Sequence, residues 1–145
     1  MKLKNKAKKL SEEERALLLS ETRERFAKDR FATKKTECEL IDVAPGYAKC
    51  RMPITEDHRN GLGLVMGGAI FTLADFTFAI ASNTGQPDTV SFDAHITYFS
   101  ASKGRMLFAE SECLKAGQRT CTFAIHVTDD LGVKVADVTI NGVRV

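Results

Sequence analysis

The apolar segment AIFTLADFTFAIAS, residues 69–82, is the feature that most constrains the fold of this chain. Placed at about 100° per residue, it predicts a helix that is apolar on nearly every side. Its polar positions form only a narrow stripe, made of Thr72, Asp75, Ser82 and the following Asn83. Such a helix needs cover from other elements on most of its surface, so we expect it to lie at the centre of the fold.

The segments around this helix have the pattern of β-strands. Residues 36–54 contain two short strand-like runs joined at a Pro-Gly turn. Residues 90–100 alternate apolar and polar side chains, which predicts a half-buried strand. Turn residues separate three further runs, residues 104–115, 119–129 and 133–145, which predict an antiparallel meander. This order predicts an α+β fold, with one antiparallel sheet wrapped around a central apolar helix.

The first 35 residues differ in charge from the rest of the chain. They carry 12 basic and 6 acidic side chains, whereas residues 36–145 carry 9 basic and 13 acidic ones. Ser11 and Glu14 form a capping-box pattern, which predicts an additional N-terminal helix over residues 11–32. We therefore predict a basic helical arm, residues 1–35, before a body of residues 36–145. The arm lacks interleaved aromatic residues and a recognition-helix pattern, so we interpret it as a solvated helix that packs on the body and not as an arm for nucleic acid or anionic lipid.

Several classes of protein are disfavoured by what the sequence lacks. The basic start MKLKNKAKKL has no apolar region after it, and polar residues interrupt the longest apolar run. We therefore expect no secretory signal, no membrane span and a cytoplasmic location. The four cysteines lack C-x-x-C spacing, and His95 and His126 lie on predicted strands without ligands at suitable spacing. We therefore predict free structural thiols and no metal site.

Gly67 and Gly68 stand where a polar, glycine-rich loop meets the predicted central helix. The first turn of a helix has free backbone N–H groups, and glycine lets another molecule approach them closely, which is the arrangement of an oxyanion hole. Asp75 lies about 12 Å further along the helix axis, too far to meet the same atom as Gly67. If both act in one reaction, Asp75 must come from a second copy of the chain. A carboxylate hydrogen-bonded across an interface for specificity alone is the competing interpretation.

The stretch HRNGLGLVMGGAIFTLAD resembles the signature of the hot-dog-fold acyl-CoA thioesterases of the phenylacetate-degradation (PaaI) type, H-x-N-x-x-G-x-x-H-G-G followed by an acidic residue on a helix. The matching positions are His58, Asn60, Gly63, Gly67, Gly68 and Asp75. The resemblance extends over residues 37–143. It implies a hot-dog fold and a homodimer with shared active sites, commonly a dimer of dimers (a homotetramer). It also implies hydrolysis of acyl-CoA thioesters without metal or cofactor.

The resemblance also implies roles for individual residues. The Gly67 amide would polarise the thioester carbonyl, Asn60 would position thioester or water, and Asp75 of the partner chain would act as general base or nucleophile. Gly68 and Ser91 are carried over as substrate-binding residues. His58 stands in the loop, where it either faces a ligand or caps the turn. For the CoA phosphates, the candidates are Lys115, Arg119 and Arg105, although solvated charge explains each of them as well.

Met66 departs from this signature, because it stands where the family has a histidine before Gly-Gly. Methionine has no useful hydrogen-bond donor, so we expect an altered rate or acyl preference rather than loss of activity. A non-catalytic acyl-CoA-binding regulator with a hot-dog domain is the alternative function, which the basic arm keeps open. A hot-dog hydratase is disfavoured, because its pattern places a histidine five residues after the aspartate and this chain has Ile80 there.

Overall fold

The computed structural model describes residues 10–145 of the 145-residue chain. Within these residues, two helices and six strands follow one another: α1 (Glu12–Phe26), β1 (Glu39–Ala44), β2 (Tyr47–Pro53), α2 (Gly67–Asn83), β3 (Thr89–Tyr98), β4 (Met106–Ala116), β5 (Thr120–Asp129) and β6 (Lys134–Arg144). A π-helical turn, Phe31–Lys35, follows α1, and a 3₁₀ turn, Glu56–His58, precedes the glycine-rich loop. The predicted strands and central helix are therefore present, within a few residues of their expected bounds.

The six strands form one antiparallel sheet in the order β1-β2-β4-β5-β6-β3. The inward side chains of β5, among them Phe123, Ile125 and Val127, are fully buried, and they alternate with half-buried outward side chains. Helix α2 packs across the inner face of the sheet, where Phe78 meets Phe123 edge to face at 5.8 Å. The core therefore lies between α2 and the sheet, as the apolar segment predicted.

Helix α1 begins as its sequence predicts. Ser11 Oγ accepts from the Glu14 N–H at 3.1 Å, and the Ser11 N–H donates to the Glu14 carboxylate at 2.9 Å. The helix ends at Phe26, however, so the predicted extent to residue 32 was wrong. Phe26 packs edge to face on Phe76 of α2 at the end of this helix, and Ala32 reaches the core from the segment that follows. The Lys-rich start of the predicted arm, residues 1–9, lies outside the described residues.

Helix α1 is docked on β1 rather than free of the body. Arg15 makes a bidentate ion pair with Asp42 on β1, with distances of 2.7 and 2.6 Å. Arg23 Nε donates to the Leu40 carbonyl at 2.9 Å. The division into an arm of residues 1–35 and a body of residues 36–145 stays a prediction.

Strand β3 is one of the two edges of the sheet and differs from its prediction. It pairs with β6 on one side only, and its side chains beyond Thr89 are exposed on both faces, with Ile96 partly buried. Val90 is 51%, Phe92 63% and Tyr98 49% exposed. The predicted half-burial was therefore wrong for a single chain, because the rest of the described chain leaves most side chains of this strand uncovered.

Candidate active site

The loop before α2 folds back on itself and delivers Gly67 to a fixed place. The Met66 N–H donates to the His58 carbonyl at 2.8 Å, and the Asn60 N–H donates to the Leu64 carbonyl at 2.8 Å. Gly63 has φ +78°, a left-handed conformation that favours glycine and closes the tip of the loop. The start of α2 is therefore set by backbone hydrogen bonds within the loop and not by a side-chain cap, since Met66 provides none.

His58 holds this loop to the rest of the chain. Its side chain is buried, and Nδ1 accepts from the Thr55 N–H at 3.1 Å. Nε2 therefore carries the proton and donates to the Thr36 carbonyl at 2.9 Å. Both ring nitrogens are thus already bonded within the chain, which supports a structural role for His58. The sequence left open whether His58 faces a ligand or caps the turn, and this geometry favours the cap.

The Asn60 side chain is exposed, and the oxygen of its amide group is already hydrogen-bonded. Its Oδ1 accepts from the N–H groups of Leu62 at 3.0 Å and Leu64 at 3.1 Å. Its Nδ2 makes no hydrogen bond with any described residue, so this nitrogen can donate to a bound molecule. The position of the Asn60 side chain is therefore fixed by the loop, while its donor remains available.

The two glycines place unpaired backbone amides at the start of α2. The first amides of a helix have no acceptor within the helix, and no described residue accepts from the Gly67 or Gly68 N–H. Both carbonyls of the pair receive hydroxyl hydrogen bonds, from Tyr98 to Gly67 at 3.0 Å and from Thr72 to Gly68 at 2.8 Å. This end of α2 can therefore bind an anionic or polarised oxygen.

Asp75 lies in a cavity of about 430 Å³ between α2 and the segment that joins α1 to β1. The wall on the helix side is made of Phe71, Thr72, Asp75, Phe76 and Ala79, and the opposite wall of Asp29, Arg30, Phe31 and Ala32. The Asp75 carboxylate is half-buried and makes no hydrogen bond or ion pair with any described residue. Burial raises its pKa, and the negative charge of Asp29 raises it further. The structure thus adds Asp29, which no sequence pattern had connected with Asp75.

Gly67 lies at one end of the chain's own sheet, and two of the three proposed phosphate contacts, Lys115 and Arg119, lie at the other. Gly67 meets Tyr98, the last residue of β3. The Arg119 carbonyl accepts from the Arg144 N–H, and the Arg144 side chain bonds the Ser82 carbonyl at the far end of α2. Lys115 and Ser91 belong to that same far end: Lys115 is near the end of β4, and Ser91 pairs with Gly142. One chain does not bring these residues together with Gly67, whereas Arg105, just before β4, lies at the Gly67 end.

The remaining histidines and cysteines lie outside this site. His126 sits on the outer face of the sheet, where Nδ1 meets Asp137 at 2.8 Å and Nε2 meets Glu112 at 3.0 Å. The hydrogen bond to Glu112 raises the pKa of His126, burial opposes this, and Asp137 adds to the rise. His95 is exposed. The cysteines are free thiols, and burial raises the pKa of Cys38 and Cys50 to about 12, which makes them unreactive.

The described part of the chain offers neither a metal cluster nor a spanning helix. No three His, Cys, Asp or Glu side chains within residues 10–145 are grouped so that they could hold a metal ion. Neither helix in that range is long and apolar enough to cross a membrane.

A sheet wrapped around an apolar helix, with free amides at the start of that helix, is the architecture of the hot-dog thioesterases. Comparison of the sequence with known families agrees with this class: residues 62–136 match the family description "Thioesterase superfamily". The chain belongs to this superfamily. Human acyl-coenzyme A thioesterase 13 is 32% identical over 93 residues, which are 62% of this chain and 66% of the human protein. This chain thus spans slightly less than two thirds of that relative.

Solved structures agree with the fold. The phenylacetic acid degradation protein PaaI from Thermus thermophilus, solved as a mutant, has a TM-score of 0.73 and 28% identity, covering 78% of this chain and 97% of that one. A hypothetical thioesterase from Streptococcus pneumoniae, solved with coenzyme A, has a TM-score of 0.75 at 22% identity, covering 81% and 94%. The predicted hot-dog fold and PaaI-type resemblance are confirmed.

Proposed function

We propose that this protein hydrolyses acyl-CoA thioesters to a free acid and CoA, with its active sites shared between two chains. One observation carries the proposal: Asp75 is a half-buried carboxylate without a hydrogen-bond or ion-pair partner among the described residues, and it lines a cavity beside the central helix. A carboxylate in apolar surroundings lowers stability unless it is paired. A catalytic role gives a reason for its presence, and the names of the relatives point to the same reaction.

The proposed chemistry needs only a base and donors to the oxyanion. Asp75 removes a proton from water, or attacks the thioester carbonyl itself, and both alternatives remain open. The raised pKa of Asp75 makes its carboxylate a stronger base than that of an exposed aspartate. A thiol leaving group has a pKa of about 8.5, so the thiolate departs without a strong general acid. No metal or cofactor is required for these steps.

The donors of the proposed site come from the loop and the first turn of α2. The Gly67 N–H polarises the thioester carbonyl, and the Gly68 N–H beside it is a second donor. The free Nδ2 of Asn60 donates to the thioester or orients the water. All three belong to one short segment whose backbone is fixed by the loop hydrogen bonds, so they act as one preorganised group.

The distance along α2 argues for a second chain. Eight residues separate Gly67 from Asp75, which is about 12 Å along the helix axis. A water molecule that attacks a bound carbonyl must be within hydrogen-bond reach of the base and about 3 Å from the carbon. One chain does not satisfy both conditions. Two antiparallel α2 helices side by side, however, bring Gly67 of one chain toward Asp75 of the other.

The bare edge strand β3 supports the same pairing. It is long, lacks proline and exposes apolar side chains, which are the properties of an edge that pairs with another chain. A two-fold dimer through this edge joins the strands antiparallel. The Ser91 end of one β3 then meets the Tyr98 end of the other, so Ser91, Lys115 and Arg119 of one chain approach Gly67 of its partner. We propose a homodimer on this basis, alone or as half of a dimer of dimers.

The decisive experiment measures release of free CoA from a panel of short, medium, long and aromatic acyl-CoAs. Asp75→Asn is expected to lower kcat by about 10²-fold or more, the usual size for loss of a general base. Glu13→Gln, which removes a remote exposed carboxylate on α1, is the matched control and should retain full activity. Equal activity of the Asp75→Asn and wild-type proteins would refute the role of Asp75. Tight acyl-CoA binding without hydrolysis would instead favour the regulator.

The shared site is tested by mixing two inactive variants. Asp75→Asn and Asn60→Ala are co-expressed with different tags, so that mixed dimers form. If each site uses Asp75 of one chain and Asn60 of the other, a mixed dimer contains one intact site. A statistical mixture should then recover roughly a quarter of wild-type activity. No recovery in purified mixed dimers, or full activity in a monomer, would refute the shared site.

A further inference from the structure

Tyr98 joins the edge of the sheet to the start of α2. It is the last residue of β3, and its hydroxyl donates to the Gly67 carbonyl at 3.0 Å. The contact is so close that a side chain at position 67 would displace the Tyr98 hydroxyl. A Cβ built on Gly67 would lie 2.8 Å from the Tyr98 hydroxyl oxygen and 3.0 Å from the adjacent ring carbon. Glycine at this position therefore allows the hydrogen bond from Tyr98 to form without a shift of the tyrosine.

The bond to Gly67 fixes more than one carbonyl. The Gly67 C=O and the Gly68 N–H belong to one planar peptide unit and point in opposite directions. Holding the carbonyl toward Tyr98 therefore holds the Gly68 N–H away from it. Thr72 fixes the next peptide in the same way, because its hydroxyl donates to the Gly68 carbonyl at 2.8 Å. Both glycines belong to α2, so these hydroxyl bonds add to the helix's own hydrogen bonds at the two carbonyls.

We propose that Tyr98 is a positioning residue, which holds the Gly67–Gly68 peptide so that its N–H is aimed at the substrate oxygen. This inference rests on the proposed thioester hydrolysis and assigns a residue outside the signature stretch to it. Oxyanion donors are effective only when their direction is fixed before the reaction. Because Tyr98 is on the free edge strand, pairing of two β3 strands would also fix the tyrosine itself. Assembly of the dimer and geometry of the donors are then linked through one side chain.

The first test is Tyr98→Phe, which removes the hydroxyl and keeps the ring. Removing an oxyanion donor outright costs about 10² to 10³-fold in kcat. Loosening the donor costs less, so we expect kcat to fall about tenfold, with KM within about twofold of the wild type. Tyr47→Phe is the matched control, because the Tyr47 hydroxyl donates to Glu110 at 2.7 Å on another part of the sheet. It should leave kcat and KM unchanged.

The second test reads the contact itself and does not depend on activity. Gly67→Ala should lower the Tm of the wild-type protein, because its Cβ meets the Tyr98 ring. In a Tyr98→Ala background the ring is gone, so the same substitution should lower the Tm by much less. Equal Tm losses in the two backgrounds would overturn the contact and, with it, the proposal.

The outcomes separate this inference from the function on which it rests. Wild-type protein that releases no CoA from any substrate in the panel refutes the proposed function and the positioning role together. An active wild type with an unchanged kcat in Tyr98→Phe refutes the positioning role alone. A tenfold loss of kcat in Tyr98→Phe but not in Tyr47→Phe, with coupled Tm changes, supports it.

Discussion

Replacing His58 with alanine should destabilise the protein far more than it weakens substrate binding. The substitution removes two hydrogen bonds, at 2.9 Å to the carbonyl of Thr36 and at 3.1 Å from the N–H of Thr55. Thr36 is itself buried, so its carbonyl loses its partner away from water. An unsatisfied buried group costs about 1 to 3 kcal/mol, and the smaller side chain leaves a cavity as well. We expect a loss of about 3 kcal/mol in the free energy of unfolding.

That loss corresponds to a fall of about 10 °C in Tm for a chain of this length, and thermal unfolding followed by circular dichroism measures it. His58→Gln keeps a donor near the position of Nε2 and should recover part of the loss. His95→Ala, an exposed histidine on β3, should change stability by no more than about 0.5 kcal/mol. If His58→Ala keeps the wild-type Tm while KM for acyl-CoA rises, the ring acts on the substrate and the structural assignment is wrong.

Two further predictions follow from charges near each other in the folded chain. Asp29→Asn should move the acid limb of the kcat/KM profile to lower pH, because the Asp29 charge helps to raise the pKa of Asp75 and the base must be ionised. Glu13→Gln makes the same change in net charge and should leave the acid limb in place. His126 has a raised pKa in the folded state, so its contribution to stability is complete below about pH 6.5 and is lost as pH rises through the raised value. His126→Gln should abolish this part of the pH dependence in urea titrations, and a protein that keeps it would contradict the assignment.

The parts of the fold that the sequence predicted are those set by local patterns. Residues 69–82 form the centre of α2 because a segment apolar on every side is stable only under cover. The capping box at Ser11 and Glu14 depends on residues three apart, and it is present as expected. Alternation in the last three runs likewise gave the meander β4-β5-β6. In each case the interacting residues are close in sequence, or the pattern repeats along one element.

The contacts that the sequence did not reveal join segments far apart along the chain. His126 lacked a ligand at useful spacing, yet Glu112 and Asp137 reach it from the two neighbouring strands. The hydrogen bond from Tyr98 to Gly67 was not predicted, because it depends on how β3 and α2 pack. The exposure of β3 was not predicted either. Alternation of apolar and polar side chains indicates which face of a strand is apolar, but it does not say whether the same chain covers that face.

The segment between α1 and β1 connects the predicted arm to the candidate site in two independent ways. Thr36 receives the hydrogen bond from His58, which fixes the loop that carries Asn60 and leads to the free amides. Asp29 and its neighbours form the wall of the cavity opposite Asp75 and help to set its pKa. A purely solvated arm would affect neither the donors nor the base. This segment is hydrogen-bonded to the loop of the donors and lines the cavity of the base. Changes within residues 29–36 should therefore alter the rate and its pH dependence, whereas changes on the exposed face of α1 should leave the rate and its pH dependence unchanged.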